Sequence, residues 1–175
     1  MQKSDKHRGL HDAGNSNHKL KNKIKKRKVR IMERIAIACD HGGYELKEMI
    51  AGFLDSQEVG VIDCGTDSTE SVDYPIYGKK CAEMVASGEV DRGIVVCGSG
   101  IGISIAANKV KGIRCALCTC EETAELSRKH NNANMLALGG RTTDPVTAMN
   151  IVIKWYNTEF EGGRHERRVK MLDEM

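Results

Sequence analysis

From residue 34 onward, short apolar runs alternate with longer amphipathic stretches. Arg34-Ile35-Ala36-Ile37-Ala38-Cys39 reads as a buried strand. The stretch from Tyr44 to Leu54 places Leu46, Met49, Ile50, Phe53 and Leu54 at the spacing of one helix face. Residues 59–63 predict a second strand. Asp73-Tyr74-Pro75 opens a helix to Ala86, with Pro75 near the first helical position, where its missing N–H leaves nothing unpaired. Gly88 ends that helix. A third strand follows at 93–97 and a short helix at 100–107. Residues 113–118 predict a fourth strand. The helix from Glu121 to His130 has two acids in its first turn, which suits its dipole. A fifth strand spans 134–138. Thr143-Asp144-Pro145 opens a helix to Tyr156, and Arg164 to Leu172 forms the last one.

Five strands alternating with helices predict an α/β, Rossmann-like three-layer sandwich around a five-stranded parallel sheet. In such folds ligands bind beyond the carboxyl ends of the strands. Polar and glycine-rich residues should therefore follow the strands directly, and they do: Asp40-His41-Gly42-Gly43, Asp63-Cys64-Gly65-Thr66, Cys97 to Gly102, and Gly139-Gly140-Arg141.

Composition divides the chain in two. The 175 residues suit one domain, assigned to 33–175. Residues 1–31 hold 11 Lys/Arg against 2 Asp/Glu, a net +9, whereas the whole chain is +3, so the remainder is mildly acidic. This basic leader reads as a disordered, solvated tail, with Met32 as a natural start for the domain. Nucleic acid is not an expected partner. The seven cysteines are odd in number and read as reduced thiols of a cytoplasmic protein. No apolar run is long enough to span a membrane.

The strongest chemical feature is Cys97-Gly98-Ser99-Gly100-Ile101-Gly102. A glycine-rich turn between strand and helix can point backbone N–H groups at an anion. A thiol at that strand end is placed to act as base or nucleophile. The glycine spacing falls short of the dinucleotide fingerprint, and the loop follows the third strand rather than the first. Asp40 and His41 offer a carboxylate and an imidazole at the same rim, or else a helix cap. His130 and Asn131 end a helix, where a cation is favoured on structural grounds alone. Arg164 and Arg168, four apart on one helix, suit a phosphate or a merely basic surface. Cys115, Cys118 and Cys120 suggest zinc, but a strand sends alternate side chains opposite ways and no second cluster completes a ligand set. Trp155 and Tyr156 read as core or interface residues.

Taken together, these motifs resemble the type B ribose-5-phosphate isomerases and their galactose-6-phosphate isomerase relatives. The resemblance spans about residues 33–172. It rests on Ile35-Ala36 with Cys39-Asp40-His41-Gly42-Gly43, on Asp73-Tyr74-Pro75, on Cys97 through Lys109, on Arg128-Lys129-His130-Asn131, and on Glu161-Gly162-Gly163-Arg164-His165. It implies an aldose-ketose isomerase working without metal or other cofactor, as a homodimer or dimer of dimers whose sites draw on both subunits. By the same resemblance, His130 with Asp40 opens the sugar ring and Cys97 is the base. Ser99, where many relatives have threonine, relays a proton. Relatives lacking the thiol use a glutamate at the position of Ile101, which cannot take that role here. The amides of Gly98, Gly100, Ile101 and Gly102 form the anion hole. His41, Arg141, Arg164 and Arg168 bind phosphate, and Asn131 contacts the sugar. Ribose 5-phosphate is the expected substrate, with allose 6-phosphate, galactose 6-phosphate and four-carbon sugar phosphates as alternatives. A non-catalytic sugar-phosphate module would need the arginines but not the proton-transfer groups.

Overall fold

Five strands and six helices follow one another in the computed structural model, which describes residues 33–175. They are β1 (Arg34–Cys39), α1 (Tyr44–Ser56), β2 (Gly60–Asp63), α2 (Tyr74–Ala86), β3 (Arg92–Cys97), α3 (Ile101–Ala107), β4 (Cys115–Leu117), α4 (Glu121–Asn131), β5 (Met135–Gly139), α5 (Pro145–Asn157) and α6 (Arg164–Asp173). The basic leader and its predicted disorder lie outside the described residues.

The strands form one parallel sheet in the order β2-β1-β3-β5-β4. Side chains alternate between its faces with the two-residue period of a strand. Ile35, Ile37, Cys39, Ile94, Val96, Leu136 and Leu138 join the core beneath α1, α4 and α5. Ala36, Ala38, Val95, Cys97, Met135 and Ala137 join the core beneath α2 and α3. Right-handed crossovers require this division. The steps β1 to β2 and β4 to β5 run one way across the sheet and use one face; the steps β2 to β3 and β3 to β4 run the other way and use the opposite face. Chains leaving β1 and β3 therefore diverge, which opens a crevice at their carboxyl ends.

Two cations are buried in this frame. Lys47 of α1 bonds Asp63 at 2.6 Å, Glu48 at 2.8 Å and the Thr66 carbonyl at 3.0 Å, tying α1 to the loop after β2. Arg128 of α4 donates to the Ala133 carbonyl at 2.6 Å and lies over the Trp155 ring with Arg92 near the same ring. Burial, then the charge of Arg92, lowers the Arg128 pKa to about 10. Trp155 is fully buried, as its reading as a core residue requires.

Candidate active site

Three loops meet at the crevice. Asp40 follows β1, and one of its carboxylate oxygens accepts the Gly42 N–H at 2.9 Å, closing a tight turn. The helix that follows is not capped by this carboxylate; Gly43 is its N-cap, without a side-chain bond. A Cβ on Gly43 would lie 2.5 Å from the Val96 carbonyl oxygen, so glycine is what lets the β1 loop press against β3. Gly140, after β5, meets the Gly42 carbonyl in the same way.

After β3, the Gly100 N–H donates to Cys97 Sγ at 3.1 Å. Gly100 has φ 76° and is the N-cap of α3. A Cβ there would collide with Leu117 and with the Leu138 backbone, so both its conformation and its surroundings demand glycine. The Ile101 N–H reaches Ser99 Oγ at 3.4 Å, and Ser99 itself is exposed. His41 accepts the Val72 N–H at Nδ1, 3.2 Å away. The neutral ring then carries its proton on Nε2 and presents a donor there.

A cavity of about 410 Å³ is lined by Asp40, His41, Cys97, Gly98, Ser99 and Arg141, among others. Cys97 is 4% exposed and lies at its floor. A second hollow of about 200 Å³ shares His41, Gly42 and Arg141 with the first and adds Thr69 and Glu45. The structure thus gathers a carboxylate, an imidazole, a thiol, a guanidinium and a run of backbone amides at one switch point. Of the side chains lining the larger cavity, sequence reasoning left two without a role. One is Thr142, beside Arg141; the other is Tyr74, whose ring lies against Gly102 so closely that a Cβ there would come within 2.6 Å of it. The signal for Tyr74 was its place at the start of α2, directly after the loop that faces the crevice.

His130, Asn131, Arg164 and Arg168 are placed elsewhere. His130 and Asn131 end α4, three residues before β5 begins, so they lie at the amino edge of the sheet. Cys97 pairs with Gly139 at the other end of β5. Five residues of strand separate these edges by about 13 Å at ~3.3 Å per step. Arg164 and Arg168 lie on α6, which joins the His130 edge because the His130 and His165 rings stack with centroids 4.2 Å apart. Arg114 braces this edge through the Asn131 and Asn132 carbonyls and the Asp173 carboxylate.

The three cysteines of the zinc reading do not converge. Cys115 is half-buried, Cys118 is buried and Cys120 is exposed. Among the described residues the His/Cys/Asp/Glu group close enough to share an ion is His130, Glu161 and His165. Burial raises the pKa of Cys115 and Cys118, and pushes Cys39 up to about 12. Among the described residues, no helix is long and apolar enough to cross a membrane.

A parallel Rossmann-like sheet with a thiol, an imidazole and an amide-lined turn at its switch point defines a class of small-molecule enzyme that handles anionic substrates. Comparison narrows that class. The family described as Ribose/Galactose Isomerase matches residues 35–172. Ribose-5-phosphate isomerase B of Escherichia coli is 49% identical over 141 residues, which cover 81% of this chain and 95% of that protein. Ribose-5-P isomerase B of Listeria innocua is 37% identical over 142 residues, 81% of this chain and 96% of that one. The structure of ribose-5-phosphate isomerase B from Clostridium thermocellum, 57% identical, superposes with a TM-score of 0.80 over 81% of this chain and 95% of that chain. That from Thermotoga maritima, 50% identical, gives 0.80 over 82% and 99%. The chain belongs to the ribose/galactose isomerase family, with the type B ribose-5-phosphate isomerases, and is a sugar-phosphate isomerase.

Proposed function

We propose that this isomerase interconverts ribose 5-phosphate and ribulose 5-phosphate through a cis-enediolate, with Cys97 as the base. The observation that supports this most directly is the position of the Cys97 sulfur. It lies at the cavity floor, bonded to the Gly100 N–H, with Gly98, Ser99 and Gly102 lining the same cavity. The thiolate removes the C2 proton, and the resulting thiol returns it to C1. Ser99 carries the proton between O1 and O2. The negative charge that builds on these oxygens faces fixed N–H dipoles, which stabilise it without reorganising. His41, through Nε2–H, and Arg141 hold the phosphate from the shared wall of the two hollows.

Ribose 5-phosphate arrives as a closed ring. In our reading His130 of a second copy protonates the ring oxygen as the C1–O4 bond breaks, and Asp40 takes the O1 proton; solvent resets both. Arg164 and Arg168 of that copy complete the phosphate site, and its Asn131 contacts the sugar. The homodimer is thus part of the proposal, because one copy holds His130 at the wrong edge of its own sheet. No metal or cofactor enters the scheme.

Turnover of the purified chain compared across ribose 5-phosphate, allose 6-phosphate, galactose 6-phosphate and erythrose 4-phosphate tests the substrate. The highest kcat/KM is expected for ribose 5-phosphate. Cys97→Ala should lower kcat by about 10²–10⁴-fold with KM little changed, as for loss of a general base. A near-normal rate in this variant would remove Cys97 from the mechanism.

A further inference from the structure

The Glu161 to His165 segment does more in the structure than supply Arg164. The Glu161 N–H donates to the Lys129 carbonyl at 3.1 Å, which lays the segment along the end of α4. Gly162 and Gly163 then turn with φ 70° and 56°, and His165 enters α6 buried, at 6% exposure. Its ring lies parallel to that of His130, with 8° between planes. Its Nε2 accepts from Arg164 Nε at 3.4 Å, which only a neutral ring can do. Burial first, then the charges of His130 and Arg164, lowers its pKa, so this face of the stack stays uncharged. Glu161 joins the same cluster, 3.8 Å from His130 Nε2.

We propose that His165 is a positioning residue, whose buried flat ring fixes the His130 imidazole in the plane from which it opens the sugar ring. The inference rests on the isomerase reading above, in which His130 acts on the ring and not on the C2 proton. A half-exposed histidine at a helix end would otherwise rotate about its side-chain bonds, and its proton would reach the ring oxygen only in some rotamers. Stacking against a ring that is itself locked by burial removes that freedom without adding a second positive charge. A protonated neighbour would repel a protonated His130; a neutral one does not.

Two substitutions separate the flat face from mere bulk. His165→Phe keeps an aromatic plane; His165→Leu fills much of the space without one. Each is measured on ribose 5-phosphate and on erythrose 4-phosphate. The second sugar has its O4 esterified and cannot close a five-membered ring, so it needs no ring opening. H165L is expected to lose about 10–100-fold in kcat on ribose 5-phosphate, the scale of a misplaced catalytic group, and H165F to recover most of that rate. On erythrose 4-phosphate the two variants should match the unmodified chain. Equal rates for H165F and H165L on ribose 5-phosphate, or an equal fall of H165L on both sugars, would overturn the positioning role. An unmodified chain inactive on ribose 5-phosphate would instead overturn the substrate reading on which this inference rests. Nitrogen-resolved histidine spectra of the unmodified chain give an independent check, since His165 must be the neutral Nδ1–H tautomer near pH 7. A charged His165 there would sink the proposal even if both variants fail to fold.

Discussion

Cys97 and Cys120 differ in what surrounds the sulfur, and that difference can be measured. Cys120 is exposed at the N-cap of α4, where the Thr123 hydroxyl, 3.5 Å away, and the Thr123 backbone lower its pKa from the ordinary 9.0. Cys97 is enclosed at the cavity floor. Alkylation by iodoacetamide, followed by peptide mass, should therefore label Cys120 before Cys97. Only the thiolate reacts, so the Cys120 rate should rise with pH around a midpoint below 9.0. Thr123→Val should move that midpoint upward, because it removes the bond that favours the anion. An unmoved midpoint would show that the hydroxyl does not act on the sulfur. The sequence marked Cys97 through its glycines. It gave no sign that Lys47 is buried, because its partners Asp63 and Thr66 come near only when β2 lies beside β1.

Elements were legible wherever the apolar period is regular, and their ends were set by side chains that periodicity does not weigh. The fourth strand shows this. The run 113–118 reads as six residues of strand, yet β4 is only Cys115–Leu117. The Arg114 N–H bonds the Asn134 side chain, the Cys115 N–H bonds Asn108, and Asn134 returns a bond to the Gly112 carbonyl. Asn134 thus occupies a backbone group that a longer edge strand would offer its neighbour, and Asn108 takes one on the free edge. At α5 a side chain again sets the start. Asp144 accepts the Thr147 N–H at 3.0 Å, and the Thr147 hydroxyl, then this N–H, holds its carboxyl below the usual 3.8. A carboxylate whose folded pKa is depressed stabilises the fold above its unfolded value and loses that contribution as pH falls through the folded one. Asp144→Ala should lower Tm near pH 6, and the gap to the unmodified chain should narrow once the pH drops below 3.8. Thermal melts at several pH values check this; a gap that stays constant into acid would assign the loss to something other than the charged cap.

At the scale of the whole molecule the candidate site divides, and the division has a sharp consequence. Asp40, His41, Cys97 and Arg141 line one cavity, whereas His130, Arg164 and His165 form a cluster at the opposite edge of the sheet. Sequence reasoning listed both sets, and its parallel sheet already implied that the helix end at His130 lies opposite Cys97; what chain order did not show was that α6 packs on that same edge. If the proposed homodimer shares its sites, each site takes the first set from one copy and the second from the other. A Cys97→Ala chain and a His130→Ala chain would then each form dimers with two defective sites. In a mixed dimer both defects fall into one site and leave the other intact. Refolding the two inactive variants together at equal amounts should give half mixed dimers, hence about a quarter of the unmodified activity under random C₂ pairing. Sites built within single copies would give no recovery at all. The mixture therefore reads the architecture directly, without requiring either variant to be more than inactive and folded.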